Sequence, residues 1–331
     1  MIYEYALSPQ LVAKWAVEGF GRIVGQFGMD QRRLVADFPK NWNGEVYGAL
    51  YELFNDDDTS IEFQNARPIL DGYLQWLGEH RVCRTATGGR GGGWVAAALV
   101  EHAQRPFYAI LAAEAVPDQA AVITPAVIDN IHDPRWYLPT VEPSKKTAAE
   151  IAAALTPLVA RAREIVIVDP YFDAAADRFT DALGALLKAA VNHREVALEP
   201  PKVVLMTGVE QAHSTRDGVF TEEQKRRVAD NLVVKAREHL PGILPQGLEI
   251  ELVCLAHPQG GDPLHNRFVM TDIGGAVMPY GTDARGAEAM DDLQPMQKGI
   301  YLSRWRQYAL RQGIAIVRAG EIIRSAAVKT P

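Results

Sequence analysis

Along the second half of the chain the apolar positions switch repeatedly between two periods. TAAEIAAALTPLVARAR, from Thr147, puts Ile151, Leu155, Leu158 and Ala162 on one helical face, behind Thr147 and Glu150 at capping-box spacing. Pro157 falls inside it, where a kink is expected. EIVIVDPYF follows, a continuous β-branched run that stops at Asp169-Pro170, the pattern of a strand covered on both faces. Residues 174–190 return to helical spacing with Phe179, Leu183, Leu186 and Ala190, and KVVLM (202–206) predicts another short buried strand. TEEQKRRVADNLVVKAREHL opens with a second capping box, Thr221 and Gln224, carries acids in its first turn and bases in its last, and is followed by Pro241. LEIELVCL (248–255), RFVMT (267–271) and GAVMP (275–279) predict three further strands, and GIAIVRAGEIIRS (313–325) predicts a closing hairpin that turns at Ala319-Gly320. Strands alternating with helices of this length require crossovers onto a mostly parallel sheet, ending in strands close enough in sequence to pair antiparallel. The expectation for residues 141–331 is an α/β sandwich with a mixed sheet.

The pattern over residues 1–140 is more broken and predicts a smaller, mixed α+β domain. Ser8 and Pro9 suit the N-cap and first position of a helix carrying Leu11 and Trp15, and Pro68 suits the start of another with Ile69, Tyr73, Trp76 and Leu77. Strands are expected at 81–86 and 106–111. Between them TGGRGGGW sets five glycines around Arg90, either an anion-binding nest or a plain loop, without the Lys-Ser/Thr ending of a nucleotide loop. HDPRWYLPTVEPSKK (132–146) holds three prolines and reads as the linker between the two parts.

Composition narrows the class. With 331 residues and 48% apolar content the chain can bury two modest cores. Cys83 and Cys254 each lie in an apolar run and are expected to be buried thiols rather than a disulfide or a metal site. No stretch approaches the ~18 uncharged apolar residues that span a bilayer, and MIYEYALSPQ has no basic region leading into an apolar run, so a cytoplasmic protein without a membrane partner is expected. The formal charge of −7 argues against non-specific coating of nucleic acid, leaving room for a local basic site. KRR at 225–227 and SRWRQYALRQ at 303–312 are the densest basic stretches, and each also fits a solvated helix face.

The chemistry concentrates in PLHNRFVMTD (263–272) and the IGGAVMPYGTD that follows. An imidazole is nucleophilic near neutral pH, and a phosphodiester under attack needs fixed cationic or hydroxyl donors on its phosphoryl oxygens. If the segment is extended, His265 and Arg267 point to the same face, a nucleophile beside a phosphate clamp. A lone His on a strand is otherwise an ordinary structural residue.

These residues resemble the phospholipase D superfamily, whose HKD motif runs His-x-Lys-x4-Asp and is followed by a Gly-Ser-x-x-Asn-like turn. His265 stands at the His, Arg267 at the Lys and Asp272 at the Asp; Gly281-Thr282 takes the place of Gly-Ser, with Asp283 close to the Asn, and IVIVDPYF is similar to the opening strand of that fold. The resemblance covers residues ~145–331. It implies a phospholipase D-like α/β sandwich in which His265 forms a phosphohistidine, Arg267 and Thr282 hold the phosphate beside Asp283, and Asp272 is mainly structural. An acid among Glu288, Asp291 and Asp292 would orient the imidazole. It further implies metal-independent phosphodiester hydrolysis with no cofactor, nucleic acid as a substrate, and a role of the kind that nucleases of bacterial restriction and antiphage defence systems play. HSTRDGVF (213–220) is the nearest decoy for a second motif, so the single motif implies a homodimer that brings two His265 side chains together. The competing expectation is a non-catalytic relative that uses the same cleft or the first domain to hold other protein subunits.

Overall fold

The computed structural model describes residues 1–84, 86, 93–130, 132–192, 194, 199–210, 220–257 and 264–326. TGGRGGGW lies mostly, and HSTRDGVF almost wholly, outside them. The chain divides into two compact units, Ile2–Pro139 and Thr140–Pro331 together with Met1. Among the described residues no helix is long and apolar enough to cross a membrane.

The Ile2–Pro139 unit runs β1 (Tyr3–Leu7), α1 (Pro9–Glu18), α2 (Gly21–Val24), β2 (Arg33–Asp37), α3 (Trp42–Leu53), α4 (Ile61–Gly78), β3 (Arg81–Cys83), α5 (Gly93–Gln104), β4 (Ala109–Leu111) and β5 (Val122–Ile123). Its strands form one sheet in the order β3-β2-β1-β4-β5, parallel throughout. This corrects the mixed α+β expectation: the unit is α/β, because its sheet is parallel and the three connections from β1 to β4 are crossovers that carry helices. Alternation along the strands divides two cores. Tyr5, Leu7, Val35 and Leu111 pack with Trp15, Trp42, Leu50 and Leu74 of the helices α1, α3 and α4, while Ala6, Ala36 and Ile110 turn the other way, toward Ala98 of α5 and Phe107. Pro68 sits inside α4 rather than at its start; the helix begins seven residues earlier, behind Ser60, whose hydroxyl accepts from the Phe63 amide. Cys83 is exposed, against expectation, because it closes a three-residue edge strand.

The Thr140–Pro331 unit runs β6 (Glu142–Lys146), α6 (Ala148–Val159), β7 (Glu164–Val168), α7 (Asp177–Asn192), β8 (Lys202–Gly208), α8 (Glu222–His239), β9 (Glu249–Ala256), β10 (Phe268–Thr271), β11 (Gly274–Val277), β12 (Gly286–Pro295), α9 (Lys298–Tyr308) and β13 (Ala315–Arg324). Its sheet is mixed, in the order β13-β9-β8-β7-β10-β11-β12-β6, with β7, β8 and β9 parallel and the remaining neighbours antiparallel. The β-branched runs of β7 and β8 are buried almost end to end, as a sheet covered on both faces requires. Both expected helix starts are capped: the Thr147 hydroxyl accepts from the Glu150 amide, and Thr221 and Gln224 form a reciprocal capping box.

Two expectations fail here. Residues 315–324 form one long strand along β9, not a hairpin, and the interrupted register between Arg318 and Glu321 absorbs Gly320 at φ +80° as a bulge. The proline-rich linker ends in a strand, β6, whose Pro143 is tolerated because β6 is the edge of the sheet.

Candidate functional site

Because β10 runs antiparallel to β7, with Phe268 opposite Val168 and Thr271 opposite Ile165, the residues before β10 meet those after β7 at one end of the sheet. β11 returns to the same end, Val277 opposite Phe268, and delivers the turn that contains Gly281 and Thr282. β8 also finishes there, at Gly208. The cleft that forms lies at the carboxyl ends of β7 and β8, where α/β sheets commonly bind their ligands. It measures about 310 Å³, and among the described residues lining it four cations, Arg178, Lys235, Arg267 and Arg285, stand against two carboxylates, Asp173 and Asp283.

His265 lies three residues ahead of β10, in an exposed non-strand segment and not on the strand itself. Its Nδ1 is 2.7 Å from the Tyr171 hydroxyl, and the two rings stack at 6.3 Å with 21° between their planes. Arg267 is mostly buried. Its guanidinium lies 4.3 Å above the Tyr171 ring, donates to the Pro279 carbonyl, and places Nε 3.4 Å from Asp169 Oδ1. Nucleophile candidate and cation are therefore brought together by one aromatic residue.

Asp169 organises the floor. It is the first residue past β7, is buried, and accepts through Oδ1 from the Tyr171 amide at 3.1 Å and through Oδ2 from both the amide and the hydroxyl of Thr282 at 2.9 Å. Burial pushes its carboxyl above the usual carboxylate range, while the donors from Thr282 and Tyr171 and the charge of Arg267 pull it back. Any side chain at Gly281 would run into the Asp169 carboxylate and the Arg267 stem, and Gly281 holds φ +67°, so the turn admits only glycine.

The expected site residues fare unequally. Thr282 directs its hydroxyl at Asp169 rather than into the cleft. Asp283 does line the cleft, flanked by Arg285 at 2.7 Å and Arg178 at 3.4 Å. Asp272 is at the far end of β10, its Oδ1 accepting from the amides of Arg163 and Glu164 at 2.8 and 3.3 Å where β7 begins. It takes no part in the cleft. Of the acids offered as supports for His265, Asp291 accepts instead from the amides of Tyr280 and Asp292, and the Nδ1 position is taken by Tyr171.

Three positions in or near the candidate site escaped sequence reading. Tyr171 and Asp169 were visible only as the end of a strand; an acid and an aromatic placed just after a fully buried run are the signal that finds them. Lys146 was assigned to a linker, yet it is buried with Nζ 3.8 Å from the Tyr280 ring centre, its pKa lowered by burial and supported by the charges of Asp283 and Asp291. Elsewhere, the KRR stretch contributes Lys225 to a pair with Glu222 of its own helix and to one with Glu210 just after β8, in which Lys225 and Glu210 are largely buried.

Among the described residues no group of three or more His, Cys, Asp or Glu could hold a metal ion. No family model matches the chain, and no curated protein does. Among solved structures, an archaeal chromatin protein, TrmBL2, described as showing a novel mode of DNA binding, is 12% identical over 82% of each chain with a TM-score of 0.26, too low to carry an argument about fold or function.

Proposed function

We propose that the Thr140–Pro331 unit is a phosphodiesterase of the phospholipase D type, acting on nucleic acid, with His265 as nucleophile and Arg267 as phosphate ligand. The observation that carries this reading is the convergence of His265 and Arg267 on Tyr171 at the end of a cleft whose lining is net cationic in a chain of net charge −7. A phosphate entering it meets guanidinium donors without first crossing a strong negative field. Arg178, Lys235 and Arg285 are exposed, and the Lys235–Asp173 pair is a surface pair worth ~1 kcal/mol or less, so an incoming phosphate displaces Asp173 at small cost, while the buried Asp283 keeps its place between Arg178 and Arg285. In the reaction the imidazole attacks phosphorus, the leaving oxygen takes a proton, and water then cleaves the phosphohistidine. A second copy of the chain would supply the second imidazole as general acid, which makes a twofold dimer part of this proposal.

A second reading is favoured by the Thr282 hydroxyl, which Asp169 occupies, and by the carbonyl of Pro279, which already holds Arg267. Here the cleft binds phosphate without turning it over, and the protein is a non-catalytic relative that serves as a subunit of a larger assembly.

The two separate in one assay: cleavage of a chromogenic phosphodiester and of single- and double-stranded DNA in excess chelator. On the first reading His265→Ala loses several orders of magnitude in rate, and Arg267→Ala loses about 10²–10³, the usual cost of one donor to a developing negative charge. A wild-type protein no faster than His265→Ala that still retains DNA establishes the second.

A further inference from the structure

We infer that Tyr171 is the positioning residue of this site: its hydroxyl takes up Nδ1 of His265, leaves Nε2 as the reacting nitrogen, and sets the tautomer in which Nε2 carries a lone pair. The inference rests on the reading of His265 as nucleophile, and goes beyond it by naming the residue that orients its ring.

The geometry fixes which ring nitrogen meets the phenol. The Tyr171 hydroxyl stands 2.7 Å from His265 Nδ1, so that nitrogen faces the phenol rather than an incoming phosphate. A neutral imidazole carries one proton, and whichever nitrogen holds it is not a nucleophile. If the phenol donated to Nδ1, the proton would sit on Nε2 and the exposed nitrogen could not attack. Reaction therefore requires Nδ1–H to donate to the phenol oxygen, which frees the Nε2 lone pair. The phenol proton is then free to turn toward the cleft that Tyr171 lines, beside the Arg267 guanidinium stacked 4.3 Å from its ring centre. Tyr171 is itself held in place: its amide donates to Asp169, the carboxylate that also faces Arg267 Nε at 3.4 Å.

The step balances as follows. The Nε2 lone pair forms the N–P bond as the P–O bond to the leaving group breaks; the electron pair of that P–O bond departs with the leaving oxygen, which takes a proton from the second copy's protonated imidazole. Nδ1–H is retained, and its bond to the phenol oxygen supports the positive charge that the phosphorylated ring carries. Water then adds to phosphorus and gives a proton back to that second imidazole, and the N–P electron pair returns to Nε2.

Tyr171→Phe keeps the ring beneath Arg267 and removes only the oxygen. In long-range ¹⁵N–¹H NMR, wild-type His265, assigned by comparison with His265→Ala, is expected as the Nδ1–H tautomer, and in Tyr171→Phe as the Nε2–H form that free imidazole side chains prefer. With a cleavable phosphodiester, kcat falls about 10²-fold in Tyr171→Phe with KM nearly unchanged. Wild-type His265 in the Nε2–H form, or a Tyr171→Phe protein that keeps the Nδ1–H form, overturns the inference. The tautomer reads out in the absence of any substrate. A wild-type protein that cleaves nothing but shows Nδ1–H therefore refutes the phosphodiesterase while upholding the role of Tyr171 in orienting the ring.

Discussion

At the scale of single residues, the cleft depends on a carboxylate that touches no solvent. Asp169 collects the Thr282 and Tyr171 amides and the Thr282 hydroxyl, and burial still raises its pKa. A raised carboxyl pKa means the protonated form favours folding; that contribution is complete below the unfolded value of about 4 and is lost as pH rises through the folded pKa. The Thr282 hydroxyl bond opposes this trend because it stabilises the ionised form. Thr282→Val, close to isosteric, is expected to cost about 1–3 kcal/mol at neutral pH and distinctly less near pH 4, read from urea unfolding at the two pH values. An equal loss at both would mean that Asp169 does not change its charge state between them. His265, Arg267 and the Gly-Thr pair were legible in the sequence because they sit at fixed spacing along one segment. Asp169 and Tyr171 were not, since their partners lie about 95 or more residues away and only the pairing of β7 with β10 unites them.

At the scale of elements, β10 is a spacer with different duties at its two ends. Arg267, just before the strand, lines the cleft, and Asp272 at the other end secures the amides that open β7. Asp272→Ala is expected to lower stability by roughly 1 kcal/mol, as lost backbone caps do, and to leave kcat of the folded protein unchanged; a fall in kcat comparable to that of Arg267→Ala would restore Asp272 to the chemistry. Strands buried on both faces, β7 to β10, announced themselves as continuous apolar runs. β12 did not, because GAEAMDDLQP is polar and largely exposed, and a strand whose side chains meet water carries no apolar period. β13 was broken in two by Gly320, a residue that signals a turn equally whether the chain reverses or merely bulges.

At the scale of the whole molecule, the two-part organisation was legible, while the parallel sheet of the first unit was not: β3 and β4 are three residues long and β5 two, too short to show a period. The net charge of −7 hides a local inversion at the cleft. Binding of a single-stranded oligonucleotide should therefore weaken steeply with salt. A log–log slope of roughly −3 is expected for four cations at about 0.7 each, falling toward −1.5 in Arg178→Ala/Lys235→Ala. A slope near zero would remove the polyanion from the proposal. Sedimentation at micromolar concentration should show a dimer, and mixing wild type with an excess of His265→Ala should depress activity more than dilution alone.

The position of Asp272 has a wider consequence. The gap between arginine and aspartate that a pattern search reads as one motif is the length of β10, a ruler that measures a strand. A ruler survives when its user has gone: a relative that has lost its imidazole still needs β7 tied down. In this chain the aspartate and its distance from the strand's other end are a property of the sheet, so Asp272 speaks for the fold, and only the end that carries His265 and Arg267 speaks for chemistry.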